Sequence, residues 1–170
     1  MITIIMRCFV AVDLAEDLVG NVIRLQEGLK DLNVKLASDF HFTLKFLGEV
    51  DVKTVGEVEL RLKELADKTK PFDITVEKVG VFPGVVWVGA PELLNLQIEV
   101  EDTLGKGDFK PMPHLTIARV KQSKYLAEFI DKHSDVNIGS MRVNKIKLKK
   151  STLTSKGPVY EDLKVFNLEG

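Results

Sequence analysis

Two of the three histidines in this 170-residue chain, His41 and His114, open the tetrapeptides HFTL (41–44) and HLTI (114–117). Each stands two residues before a threonine, Thr43 or Thr116, with one apolar residue between. On a β-strand, residues i and i+2 share a face, so each histidine projects beside its threonine. Each pair joins a group that titrates near neutral pH to a hydroxyl that can donate to an anion. Two such pairs facing across a groove supply an acid, a base and two hydroxyls for one phosphate. Phosphoester cleavage needs that set: a base for the incoming oxygen, an acid for the leaving oxygen, and donors for the remaining oxygens. A single tetrapeptide of this kind is more readily a hydrogen-bonded or surface histidine. The repeat of spacing, strand context and following helix sets the pair apart. The scheme requires both imidazoles in one groove, on the order of 5–9 Å apart, with Thr43 and Thr116 flanking the space between.

Other chemistries find less support. A zinc site needs three or four ligands, and the chain has one cysteine, no HxH or HExxH, and no carboxylates clustered beside either histidine. GKG at 105–107 lacks the P-loop frame and follows a helix pattern, so it reads as a turn. No metal or cofactor is expected. Cys8 lies in an apolar stretch and reads as a small buried hydrophobe. His133, near a helix end among polar residues, reads as a surface residue or a dipole partner. KIKLKK (145–150) reads as a solvated strand face, with a phosphate-steering rim as the alternative.

A formal net charge of −1 excludes a basic protein that coats nucleic acid nonspecifically. The hydrophobic fraction of 45% and charged fraction of 29% are ordinary for a soluble globular chain, and the length suits one compact domain or two small lobes. The opening MITIIM is too short for a membrane span and is followed by Arg7 without a cleavage site, so it reads as a strand. A cytoplasmic location is expected.

The elements that must position the histidines follow from periodicity. MITIIMRCFVAVDL reads as a first strand, and Leu18, Val22, Leu25 and Leu29 as one face of a helix. In FHFTLKF, alternation puts His41, Thr43 and Lys45 on one face and Phe42, Leu44 and Phe46 on the other. Val52, Val55, Val58, Leu62 and Leu65 describe a second helix, with Asp51 or Thr54 as its cap. Two strands flank Phe82-Pro83-Gly84 as a hairpin, and Pro91 opens a helix carrying Leu93, Leu96, Val100 and Leu104. HLTIARV is a further strand. Ser123 is the expected cap of a short helix with Tyr125, Leu126, Phe129 and Ile130 inward. Residues 141–168 read as two strands around a turn at Gly157-Pro158. The fold class is α+β, with antiparallel sheets, helices outside, and two halves that each place one His-x-Thr strand.

These segments resemble the two-histidine (2H) phosphoesterases, in particular the RNA 2′,3′-cyclic phosphodiesterases long called 2′-5′ RNA ligases. The likeness runs nearly end to end: MRCFVAVDL, FHFTLKFLGEV, VGVFP, PHLTIARVK and LKKSTLTSKGPVYEDLKVF. Met6 matches the family's usual first residue, which leaves Met1–Ile5 as a short extension. The resemblance implies one domain over residues 1–170, made of two intertwined lobes with pseudo-twofold symmetry around a central groove. It implies metal-independent hydrolysis of cyclic phosphate ends of RNA or nucleotides to 2′-phosphomonoesters. ATP-independent 2′-5′ ligation is the reverse direction. It favours His41 as proton donor and His114 as acceptor, roles that the near-equivalent motifs leave open. Thr43, Thr116 and Arg119 are the implied phosphate contacts. Strict alternation points Arg119 away from His114, so that contact requires the strand to end or twist. The expected working unit is a monomer, with an RNA or nucleotide end as its partner and no membrane. The rival reading is a binding module for RNA ends or nucleotides that no longer turns over.

Overall fold

A computed structural model of the chain describes residues 2–107, 109–121 and 125–170. Nine strands and four helices are distributed along these described residues. The first half runs β1 (Ile5–Asp13), α1 (Glu16–Gln26), β2 (Val34–Leu36), β3 (His41–Asp51), α2 (Val52–Lys68) and β4 (Phe72–Phe82). The second runs β5 (Val85–Gly89), α3 (Leu94–Leu104), β6 (His114–Val120), α4 (Leu126–His133), β7 (Asn137–Val143), β8 (Lys145–Thr154) and β9 (Gly157–Asn167).

Local chemistry accounts for most boundaries. Asp51 caps α2 by accepting from the Thr54 amide at 2.8 Å. Gly84, at φ +80°, turns the hairpin between β4 and β5. Pro91 begins a single 3-10 turn, Pro91–Leu93, that leads into α3. Leu18, Val22, Leu25 and Leu29 are all buried beneath α1 and the short turn that extends it.

Three expectations change, and a fourth is not addressed by the described residues. β2 is an additional strand, too short to show a period. The C-terminal segment holds three strands, because Asn144 separates β7 from β8, and the last hairpin turns between Thr154 and Gly157. Val52 and Tyr125 are exposed, each at a helix start where the apolar stripe has not yet met the sheet. The expected cap Ser123 lies outside the described residues.

The strand order is β7-β4-β5-β6-β3-β1-β8-β9, with β2 also on β6, and every pairing is antiparallel. β7-β4-β5-β6 form one lobe and β3-β1-β8-β9 the other. Among the described residues β3 and β6 pair at one position, Phe42 with Leu115. Beyond it the lobes part, and β2 takes up the freed edge of β6 from Ala118 to Val120. The runs β1-α1-β3-α2 and β5-α3-β6-α4 occupy equivalent places about this seam. α1 packs on β6 and β7 of the opposite lobe, and α3 on β3 and α2 of the other. Phe42, Leu115, Ile117, Val10, Val86 and Val88 are fully buried between sheet and helices, which leaves the opposite sheet face to form a groove.

Candidate active site

The seam determines how the two motifs meet. Antiparallel pairing of Phe42 with Leu115, extended one residue each way, sets His41 opposite Thr116 and Thr43 opposite His114. The four side chains then occupy the corners of a quadrilateral. In a regular antiparallel pair this register makes the histidines diagonal neighbours, a relation that sets Cα atoms on the order of 7–8 Å apart. All four line one groove of about 670 Å³.

Both motifs carry the same defect. In β3, Val10 and Ala11 of β1 stand opposite Lys45 and Thr43, so Leu44 is an extra residue. In β6, Val86 and Trp87 of β5 stand opposite Ala118 and Thr116, so Ile117 is extra. A β-bulge reverses which face the following residues present. The burial of β6 shows it: Ile117 and Ala118 are both buried, and Arg119 is exposed. Arg119 therefore lines the groove with His114 and Thr116, despite the odd spacing. In β3 the same reversal puts Phe46 in the groove, 70% exposed, and leaves Lys45 out of its lining. The simple alternation that grouped Lys45 with His41 and Phe46 with the core fails at that bulge. Gln26, buried on α1, braces the second bulge by donating from Nε2 to the carbonyls of Ile117 and Ala37, each at 2.8 Å.

Each imidazole is held from behind. His41 Nδ1 stands 2.9 Å from Asp39 Oδ1, and His114 Nδ1 stands 2.7 Å from the Met112 carbonyl oxygen. Neither partner can donate, so both rings carry a proton on Nδ1 and keep Nε2 for the groove. Aromatic rings fix the ring planes. Tyr160 meets His41 edge-on at 5.1 Å and Phe9 lies at the same distance; Phe82 meets His114 edge-on at 5.1 Å. Trp87 lies beside Phe82 only because residue 80 is glycine, since a Cβ there would sit 2.1 Å from the indole. Burial pushes the Tyr160 hydroxyl above the usual tyrosine range, so it remains a donor at neutral pH.

Arg7, Lys35, Arg119 and Lys156 line the groove as well, a concentration of positive charge on a chain of net charge −1. Phe46 beside them offers an aromatic face of the kind on which a nucleobase stacks. Sequence reasoning missed Asp39, Phe9, Phe46, Tyr160 and these cations other than Arg119. Asp39, two residues before His41, was the one with a local signal.

Within the KIKLKK run Lys145 is exposed as a solvated face requires, but Lys147 and Lys149 take neither expected form. Lys147 and Lys149 turn inward and each pairs with both Asp13 and Asp162, at 2.6–2.9 Å. Two strand residues at i and i+2 reach the same two carboxylates, and the four charges cancel. His133 packs against Phe129 with ring centroids 4.5 Å apart, and burial pushes it below the usual histidine range. Cys8 is buried, and burial pushes its thiol upward. Among the described residues, no three or more His, Cys, Asp and Glu side chains gather as a metal-binding group.

Paired His-x-Thr strands, related by an approximate twofold axis across one groove, define a phosphoesterase architecture. The family model of LigT-like phosphoesterases matches residues 12–87 and again 88–160, one motif in each match. The chain belongs to that family. It is 40% identical to the RNA 2′,3′-cyclic phosphodiesterase of Methanothermobacter thermautotrophicus, over 95% of this chain and 98% of that protein. It is 37% identical to the protein of that name from Methanocaldococcus jannaschii, over 94% and 99%. Among solved structures, TT0787 of Thermus thermophilus superposes with a TM-score of 0.82 at 29% identity, covering 97% of this chain and 99% of that one.

Proposed function

We propose that this protein hydrolyses 2′,3′-cyclic phosphate ends of RNA or nucleotides to 2′-phosphomonoesters. The observation that carries this is the diagonal placement of two His-Thr pairs in one groove by the Phe42–Leu115 register. Water attacks phosphorus while Nε2 of His114 takes its proton, and the bond from phosphorus to the 3′ oxygen breaks as Nε2 of His41 protonates that oxygen. Hydroxyls of Thr43 and Thr116 and the Arg119 guanidinium donate to the non-bridging oxygens, where charge accumulates. The histidines finish with exchanged protonation, and proton exchange with solvent resets them.

A 5′-hydroxyl in place of water gives 2′-5′ ligation with the same groups. No nucleotide cofactor is needed, because the cyclic diester stores the strain. Both motifs stand in one chain, so a monomer suffices. No helix among the described residues is long and apolar enough to cross a membrane, and the proposed setting is the cytoplasm.

The test is incubation with an oligonucleotide ending in a 2′,3′-cyclic phosphate, followed by analysis of the product end. A 2′-phosphate with a free 3′-hydroxyl is expected. A 3′-phosphate product would overturn the direction of cleavage. Tight binding without turnover would identify a non-catalytic module.

A further inference from the structure

We infer that Asp39 is the positioning residue that divides the work between two otherwise equivalent histidines. Its carboxylate accepts from Nδ1 of His41, the proton donor of the scheme, whereas Nδ1 of His114, the acceptor, meets only the neutral Met112 carbonyl. The inference rests on the hydrolytic scheme above and supplies what symmetry alone withholds.

The twofold relation matches His41 with His114, Thr43 with Thr116, and the bulge at Leu44 with that at Ile117. It does not match what lies behind the rings. A carbonyl offers His114 a dipole. Asp39 offers His41 a full negative charge at 2.9 Å, and a hydrogen bond between charged partners is roughly twice as strong as a neutral one. A reaction that must begin with one ring charged and one uncharged finds that difference in the partners.

The surrounding charges keep the Asp39 carboxylate available for this. On β1 these are Arg7 and Asp13, the backbone partner of His41; on β8, Lys147 and Lys149; on β9, Tyr160 and Asp162; on β6, Arg119. Lys147 and Lys149 satisfy Asp13 and Asp162, so the carboxylates nearest Asp39 already have cations of their own. The hydrogen bond from His41 holds the Asp39 carboxyl below its ordinary range against burial, with the charge of Lys149 assisting and that of Asp162 opposing.

Asp39→Asn isolates the charge, because the amide oxygen still accepts from Nδ1 and gives His41 the kind of partner that His114 has. The Asp39 side chain is 43% exposed, so the variant is expected to fold as the parent does. The experiment measures kcat/KM on uridine 2′,3′-cyclic phosphate from about pH 5 to 9 and follows both imidazoles by nitrogen NMR titration. H41A and H114A serve as references. Asp39→Asn should move the alkaline limb, where the donor loses its proton, to lower pH, with about tenfold lower activity at alkaline pH per unit of displacement. The acid limb and the His114 titration should stay in place. A profile superimposable on the parent's, or a uniform loss with both limbs unmoved, overturns the inference while H41A and H114A remain inactive. Full turnover in H41A or H114A would remove the two-histidine scheme itself.

Discussion

Phe42 of β3 faces Leu115 of β6 across the seam, and this buried pair sets the registration of the two His-x-Thr motifs. Each side chain lies between the histidine and the threonine of its own motif, fully excluded from water. Stability and the geometry of the groove therefore share one contact. Phe42→Ala should lower stability by about 3–5 kcal/mol, the range for deleting a buried ring. Measured in the folded baseline of a urea titration, kcat/KM should fall as well, because the motifs lose their common reference. An unchanged kcat/KM in the folded variant would separate the seam from catalysis.

Replacing His41 or His114 by Ala should lower turnover of a cyclic nucleotide by on the order of 10²–10⁴. The double variant should lose far less than the product of the two single losses, since the histidines act as a unit. Activity of the parent protein should persist in EDTA. Loss in chelator with recovery in zinc or magnesium would point to a metal role instead.

The bulge at Leu44 makes a prediction that simple alternation reverses. Phe46→Ala should weaken binding of a cyclic nucleotide by about 1–3 kcal/mol, the worth of one base-aromatic stack. Lys45→Ala should change it by less than about 0.5 kcal/mol, as surface substitutions do. Arg119→Ala should lower kcat/KM through lost phosphate contact. Steady-state kinetics on the three variants checks the order, and a larger effect at Lys45 than at Phe46 would contradict the re-aimed strand.

The ring of Asp13, Lys147, Asp162 and Lys149 should give stability a broad plateau in pH. Burial works against the Lys149 charge, but hydrogen bonds to Asp13 and Asp162 outweigh it and hold the ammonium above the usual lysine range. Its contribution is complete below the unfolded value of about 10.4 and is lost as pH rises through the higher folded value. Burial also opposes the Asp162 charge, and hydrogen bonds from Lys147 and Lys149 hold its carboxyl below the usual range. That contribution is present above about 3.9 and is lost as pH falls through the lower folded value. Lys149→Met should cost about 1–3 kcal/mol near neutral pH, less than a fully buried pair because Asp13 and Asp162 are 30% and 37% exposed. Thermal melts across pH, parent against variant, read both effects.

Much was legible in sequence because it depends on neighbours along the chain. The i, i+2 geometry of His41-Thr43 and His114-Thr116, the helix faces carrying Leu18, Val22, Leu62 and Leu96, the Asp51 cap and the Pro83-Gly84 turn all follow from local spacing and backbone preference. What one strand cannot contain is its partner. The bulges at Leu44 and Ile117 exist because β1 and β5 present one residue fewer, and they decide that Phe46 and Arg119 enter the groove while Lys45 leaves it. Lys147 and Lys149 looked like a solvated face because Asp13 lies more than a hundred residues earlier in the chain and Asp162 sits on the next strand. The difference between the histidines draws on both levels. HFTL and HLTI specify the same His-Thr pair, Asp39 and Met112 each stand two residues before their histidine, and packing decides that one ring meets the Asp39 carboxylate and the other the Met112 carbonyl.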